Sequence, residues 1–131
     1  MPTGGAPLTG RVLVVDDDEY VRIVFVRFLT LAGFDVIAAA SGEEGLTVLR
    51  EQSNIVLVLL DFKMPQMNGL EFRERQSADE RISGIPVVIV TGSPISDEVL
   101  KRLRGVECLL KPVPREELIR VVSRYCCPSE Q

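Results

Sequence analysis

At 131 residues, 46% of them hydrophobic, the chain has room for one domain around a single core and none for a second folded module. Fifteen basic residues against nineteen acidic ones leave a formal charge of -4, the wrong sign for a protein that grips nucleic acid by neutralising phosphates. There is no histidine, and the three cysteines, Cys108, Cys126 and Cys127, lack metal-ligand spacing, so zinc sites and Ser-His or Cys-His catalysis are excluded and a reducing compartment fits best.

The first ten residues are small, Pro/Gly-rich and without an apolar h-region, and are read as a flexible leader, followed by a domain over residues 11–126 and a tail over 127–131. No run approaches the roughly 18 apolar residues of a membrane span, so a cytoplasmic protein is expected. Arg11 to Val15 and Ile55 to Leu60 are continuous runs of β-branched residues and leucine, the pattern of strands covered on both faces. Pro86 to Thr91 reads likewise, and Phe34 to Ala39 and Val106 to Leu110 complete five strands.

A first helix follows the first strand, with Val21, Phe25, Phe28, Leu29 and Ala32 on one apolar stripe. Ser41 to Gln52 opens on an S-x-x-E capping box, Ser41 with Glu44; Gly69 to Ser77, Asp97 to Arg104 and Pro114 to Tyr125 supply the rest. Five alternations of strand and helix predict a doubly wound, five-stranded parallel sheet with helices on both faces and a site at the carboxyl ends of the strands.

The first strand ends in Asp16, Asp17 and Asp18 and the third in Asp61, so several carboxylates should gather at that rim. Hard oxygen donors in such a cluster suit Mg²⁺, and a remaining carboxylate could act as a nucleophile on phosphorus. Asp18 is better assigned to capping the first helix than to the metal.

The blocks Val12-Leu13-Val14-Val15-Asp16-Asp17-Asp18, Leu60-Asp61-Phe62-Lys63-Met64-Pro65, Met67-Asn68-Gly69, Val90-Thr91-Gly92 and Leu110-Lys111-Pro112 resemble, in order and each at a strand end, those of the response-regulator receivers of two-component signalling. The resemblance covers about residues 11 to 125. It implies a CheY-like, flavodoxin-like sheet of order 2-1-3-4-5. It also implies that Asp61 is the phosphoacceptor, that Asp17, Asp16 and the backbone carbonyl of Lys63 join Asp61 around Mg²⁺, and that Thr91 and Lys111 contact phosphoryl oxygens. The family's Lys-Pro bond, here Lys111-Pro112, is usually cis. The implied partners are a histidine kinase or histidine phosphotransfer domain as donor and a downstream protein target, without direct binding to nucleic acid or membrane. Receivers catalyse only their own phosphorylation and slow dephosphorylation.

The chain departs from the family pattern in three places. Cys108 stands where many receivers carry Tyr or Phe; it is read as a small core filler, with redox sensing as the alternative. The 16 residues between Thr91 and Cys108 leave a fourth helix of little more than two turns. Ile23 and Val26, with Thr30, lie opposite the core stripe of the first helix, where charges are common, and suggest a docking stripe for the donor. The Lys63 side chain is read as solvent-facing.

Three rival readings stand beside this one. A haloacid-dehalogenase-type phosphotransferase would want a second Asp two residues after the first, where Lys63 stands. A flavodoxin-like cofactor binder would want a Gly-rich loop after the first strand, where acids stand instead. A receiver-like interaction module that no longer takes phosphate remains, and the set of Asp17, Asp61, Thr91 and Lys111 argues against it.

Overall fold

A computed structural model describes residues 10–104 and 106–126. Strand and helix alternate throughout: β1 (Arg11–Val15), α1 (Glu19–Leu31), β2 (Asp35–Ala39), α2 (Gly42–Glu51), β3 (Ile55–Asp61), α3 (Gly69–Ser77), β4 (Val87–Thr91), α4 (Asp97–Leu103), β5 (Glu107–Leu110) and α5 (Arg115–Ser123). The five strands form one parallel sheet in the order β2-β1-β3-β4-β5, as expected.

The period-2 pleat explains why the central strands read as unbroken apolar runs. Leu13 and Val15, Val58 and Leu60, and Val87 and Ile89 point into a core shared with α2, α3 and α4. Their alternates, Val12, Val14, Leu57, Leu59, Val88 and Val90, enter a second core with α1 and α5. Each residue of these strands therefore faces apolar side chains, and no polar alternation is needed.

Helix starts follow the local chemistry. Asp18 caps α1, its side chain accepting from the N–H groups of Tyr20 (2.9 Å) and Val21 (3.3 Å). At α2 the Ser41 hydroxyl accepts from Glu44 N–H at 3.1 Å, while Glu44 reaches back one residue further than a standard box, to Ala40 N–H at 2.7 Å. A complete capping box that the sequence analysis passed over opens α3: Asn68 and Glu71 exchange side-chain-to-backbone bonds, both 2.9 Å.

Gly10, grouped above with the leader, is buried, and its carbonyl accepts the Cys126 thiol at 3.4 Å, so it belongs with the folded unit. Residues 1–9 and the tail from Cys127 lie outside the described residues. Among the described residues no helix is long and apolar enough to cross a membrane.

One buried polar side chain ties the loop between α3 and β4. Gln76 is fully buried and its amide donates to the carbonyls of Ile82 (2.9 Å) and Ile85 (2.8 Å). Gln76→Ala would strand both acceptors and leave a cavity, so it should destabilise the fold by about 2–4 kcal/mol in urea unfolding. A cost within the scatter of surface substitutions would show that the amide does not hold this loop.

Candidate functional site

Strand register decides which side chains meet. β1 pairs Val15 with Leu60 of β3, so the next residues, Asp16 and Asp61, stand side by side at the carboxyl edge. β3 pairs Asp61 with Val90 of β4, which puts Thr91 one step beyond. β4 in turn pairs Thr91 with Leu110 of β5, and Lys111 follows. The four side chains come from four adjacent strand ends.

The ammonium of Lys111 lies between two of the acids. Its Nζ donates to Asp16 Oδ2 at 3.0 Å and to Asp61 Oδ1 at 3.2 Å. The Lys111–Pro112 peptide is cis. Carboxylate oxygens of Asp16, Asp17 and Asp61 lie within 4.8 Å of one another, and Asp18, committed to its helix cap, is not among them. Asp16 and Asp61 are buried, at 2% and 6% exposure, whereas Asp17 is open to solvent.

Asp16 is held at every polar atom. Its N–H donates to Ala39 O (3.2 Å), its Oδ1 accepts from Asp18 N–H (2.9 Å), its Oδ2 from Lys111, and its carbonyl from Arg22 Nη1 (2.7 Å). Arg22 thus ties the first turn of α1 to the acidic loop. Sequence reasoning did not single it out, and its spacing of six from Asp16 was the available signal.

Three carboxylates against one ammonium leave an excess of negative charge. At the separations seen, each pair of like charges repels by roughly 3 kcal/mol for an effective dielectric of about 20. Burial, then the nearby Asp16 charge, and weakly Asp17, push the Asp61 carboxyl up to about 6, even though Lys111 works the other way. For Lys111, burial favours the neutral amine, but the bonds and charges of Asp16 and Asp61 outweigh it and raise the ammonium's pKa.

Thr91 is buried at the end of β4, with its hydroxyl bonded to the loop that follows the strand. It donates to Ser93 O at 2.9 Å and accepts from Ser93 N–H at 3.3 Å. Its backbone carbonyl accepts Lys111 N–H at 2.8 Å, a direct link between the two residues. The Lys63 side chain is exposed and makes no hydrogen bond or ion pair among the described residues, in keeping with a solvent-facing lysine.

A model of the family described as "Response regulator receiver domain" matches residues 12–123. The chain belongs to the response regulator receiver family. A two-component response regulator of rice, ORR5, is 36% identical over 123 residues, 92% of this chain and 90% of its own length. The polar-differentiation response regulator DivK of Brucella ovis is 31% identical, over 90% of this chain and 97% of its own. Among solved structures, a response regulator receiver protein from Pseudomonas putida superposes with a TM-score of 0.81 at 30% identity, covering 88% of this chain and 97% of the other. The chemotaxis protein CheY4 of Vibrio cholerae also reaches 0.81, at 27% identity over 89% and 98%.

The receiver departs from its sequence-based expectation at Cys108, which is exposed and not a core filler. β5 is an edge strand, and the pleat sends its alternate, Leu109, into the core beneath α1 and α5. Cys108 falls on the other face, where the seven-residue α4 packs chiefly against α3. Although the residue is exposed, partial desolvation against its neighbours and then the Glu107 charge push its thiol upward, which works against a reactive thiolate.

Two apolar grooves flank α1. One is bounded by Tyr20, Val21, Val24, Lys111, Pro112 and Val113, immediately beside the acidic cluster. The other, about 510 Å³, is lined by the expected stripe of Ile23, Val26 and Thr30 with Leu31 of α1 and Ala38 of β2, and is edged by the charged Glu19, Arg22 and Arg27.

The folded protein binds the Asp61 proton more tightly than the unfolded chain does. That contribution is full below about 4 and lost as pH rises through about 6. In metal-free buffer at pH 8, Asp61→Asn should therefore be more stable than wild type by about 1–2 kcal/mol, with the gain shrinking to nothing near pH 4. Thermal unfolding across that range checks it, and a pH-independent difference would show that charge is not the cause.

Proposed function

We propose that this receiver takes a phosphoryl group from a phosphohistidine donor onto Asp61, in a reaction that needs Mg²⁺, and so changes the surface shown to a downstream protein. The observation that carries this reading is the convergence of Asp16, Asp17, Asp61 and Lys111 at adjacent strand ends. A cluster of hard oxygen donors with uncompensated negative charge fits a divalent cation held by Asp16, Asp17 and Asp61, with the Lys63 carbonyl as a further ligand. Bound there, Mg²⁺ would supply positive charge that offsets both the acids and the phosphoryl oxygens.

An Asp61 oxygen attacks phosphorus as the phosphorus–nitrogen bond to the donor histidine breaks, and the bonding pair leaves with the imidazole nitrogen. With its carboxyl near 6, Asp61 is mostly ionised at neutral pH and needs no separate base. Lys111 is placed to exchange its bond to Asp61 for one to a phosphoryl oxygen, and the Thr91 hydroxyl to leave Ser93 for another. Since Lys111 N–H is bonded to the Thr91 carbonyl, movement at either residue is felt by both β4 and β5. Apart from its own phosphorylation and slow dephosphorylation, the protein catalyses nothing.

The donor must bring its histidine to Asp61, and the groove of Tyr20, Val21, Val24, Pro112 and Val113 adjoins Lys111. Its apolar surface suits a donor helix laid along α1, with Ile23 and Val26 widening the contact on the outer flank.

Intact mass after incubation with Mg²⁺ and acetyl phosphate should show gain of one phosphoryl group, absent with Asp61→Asn or a chelator. Ile23→Glu combined with Val26→Glu should slow transfer from a phosphorylated histidine donor by about tenfold and leave acetyl phosphate labelling unchanged. Absence of labelling in folded wild type, with a cognate kinase also failing, would instead support a phosphate-independent interaction module. Equal slowing with both donors would remove the docking role.

A further inference from the structure

The opposite end of the sheet holds a second charged concavity. Between α3 and α4 lies a hollow of about 310 Å³ lined by Arg73, Glu74, Ser77, Arg102 and Arg104. Arg73 and Arg104 also wall an adjoining hollow of about 220 Å³ that reaches Ser83, Gly84 and Val106 at the amino ends of β4 and β5. Three guanidiniums meet here in a protein whose formal charge is -4.

The charges are not balanced from within. Glu74 is bonded to Arg102 at 2.9 Å. On the far side Glu107 is occupied by Arg124 at 2.6 Å and Tyr125 at 3.3 Å. Arg73 and Arg104 have no ion pair to a carboxylate among the described residues.

Arg73 is nevertheless held in place. Its Nη1 donates at 2.8 Å to Gln76 Oε1, on the fully buried amide that anchors the α3–β4 loop, and its Nε lies 3.4 Å from the Leu103 carbonyl at the end of α4. These two bonds leave Nη2 without a partner among the described residues, free to donate to a phosphate oxygen. Burial, and then the Arg104 charge, lower the Arg73 pKa, so the two cations feel each other.

Arg104 closes α4 in the left-handed region, at φ 67° and ψ 58°, a conformation that costs a non-glycine residue about 1 kcal/mol. One guanidinium fixed by two hydrogen bonds, a second on a left-handed residue and a third at the rim thus line one cleft.

We infer that the cleft between α3 and α4 binds a phosphate dianion, either a pyrophosphate group or a phosphomonoester, through Arg73 and Arg104 with Arg102 and the Ser77 hydroxyl at its edge. The site lies at the opposite strand ends from Asp61, so it is separate from the phosphoacceptor chemistry and can be occupied together with it.

The test is a titration of the full chain with inorganic pyrophosphate in chelator, followed by amide NMR. Saturable shifts are expected at Ser77 and Arg104, with a dissociation constant at or below about 1 mM. Arg104→Gln should weaken binding about tenfold and Arg104→Lys less, while Arg115→Gln, an exposed arginine elsewhere, should leave it unchanged. Arg73 is unsuited as the test position because its loss would also free Gln76 and Leu103. O-phosphoserine and ADP as parallel probes separate a phosphorylated protein side chain from a free nucleotide as the source of the group, and tighter binding of either through Arg104 supports the site. Shifts that do not saturate, or an affinity the same in Arg104→Gln as in wild type, would overturn it and leave only diffuse surface attraction.

Discussion

The Lys111 ammonium between Asp16 and Asp61 is the contact on which the site depends. Without it two carboxylates, both nearly inaccessible to water, would face each other at the end of β1 and β3 with nothing to offset their charge. One cation cannot compensate three acids, however, and the deficit shows in Asp61, whose carboxyl is pushed up to about 6. A site in that condition gains from further positive charge, and under the proposed function the free energy so released would help to hold an incoming phosphoryl group. The same imbalance that strains the resting protein makes it receptive.

The fold delivers this arrangement with little help from loops. Parallel strands place all their carboxyl ends on one edge, and the register of β1, β3, β4 and β5 brings Asp16, Asp61, Thr91 and Lys111 to that edge in order. Both faces of the central strands are covered, so β3 and β4 carry no polar residue until they reach the rim. The acids are then fixed by local bonds, Asp16 through Arg22, Asp18 N–H and Lys111, and the loop after Asp61 by Gly69 N–H to Phe62 O at 2.8 Å. The rigidity belongs to the strands, and the proposed function asks only a few side chains to reorganise, chiefly the Thr91 hydroxyl now bonded to Ser93.

Much of this was legible in the residues themselves. Buried central strands write themselves as continuous Val, Ile and Leu runs, and acids at strand ends announce the site because nothing in a core explains them. Asp18 could be separated from its neighbours because a cap needs a residue at the helix start. Other features depend on tertiary placement that no local pattern encodes. Cys108 looked like core because its strand is apolar, yet its face of an edge strand is left open by the short α4. Arg22 and Arg73 look like surface arginines until the structure shows one bonded to the Asp16 carbonyl and the other to a buried amide. The stripe of Ile23 and Val26 was visible from helical periodicity, but that a second groove, beside Lys111, lies nearer the acids was not.

The site is governed by charge: Asp61 is held in an acidic pocket that Lys111 only partly neutralises and that, under the proposed function, a divalent cation would complete. Following the carboxyl carbon of Asp61 by NMR across pH, with and without Mg²⁺, measures this directly. The expected result is a metal-free midpoint near 6 that falls when Mg²⁺ is added. An ordinary carboxyl midpoint near 4, unmoved by Mg²⁺, would contradict it.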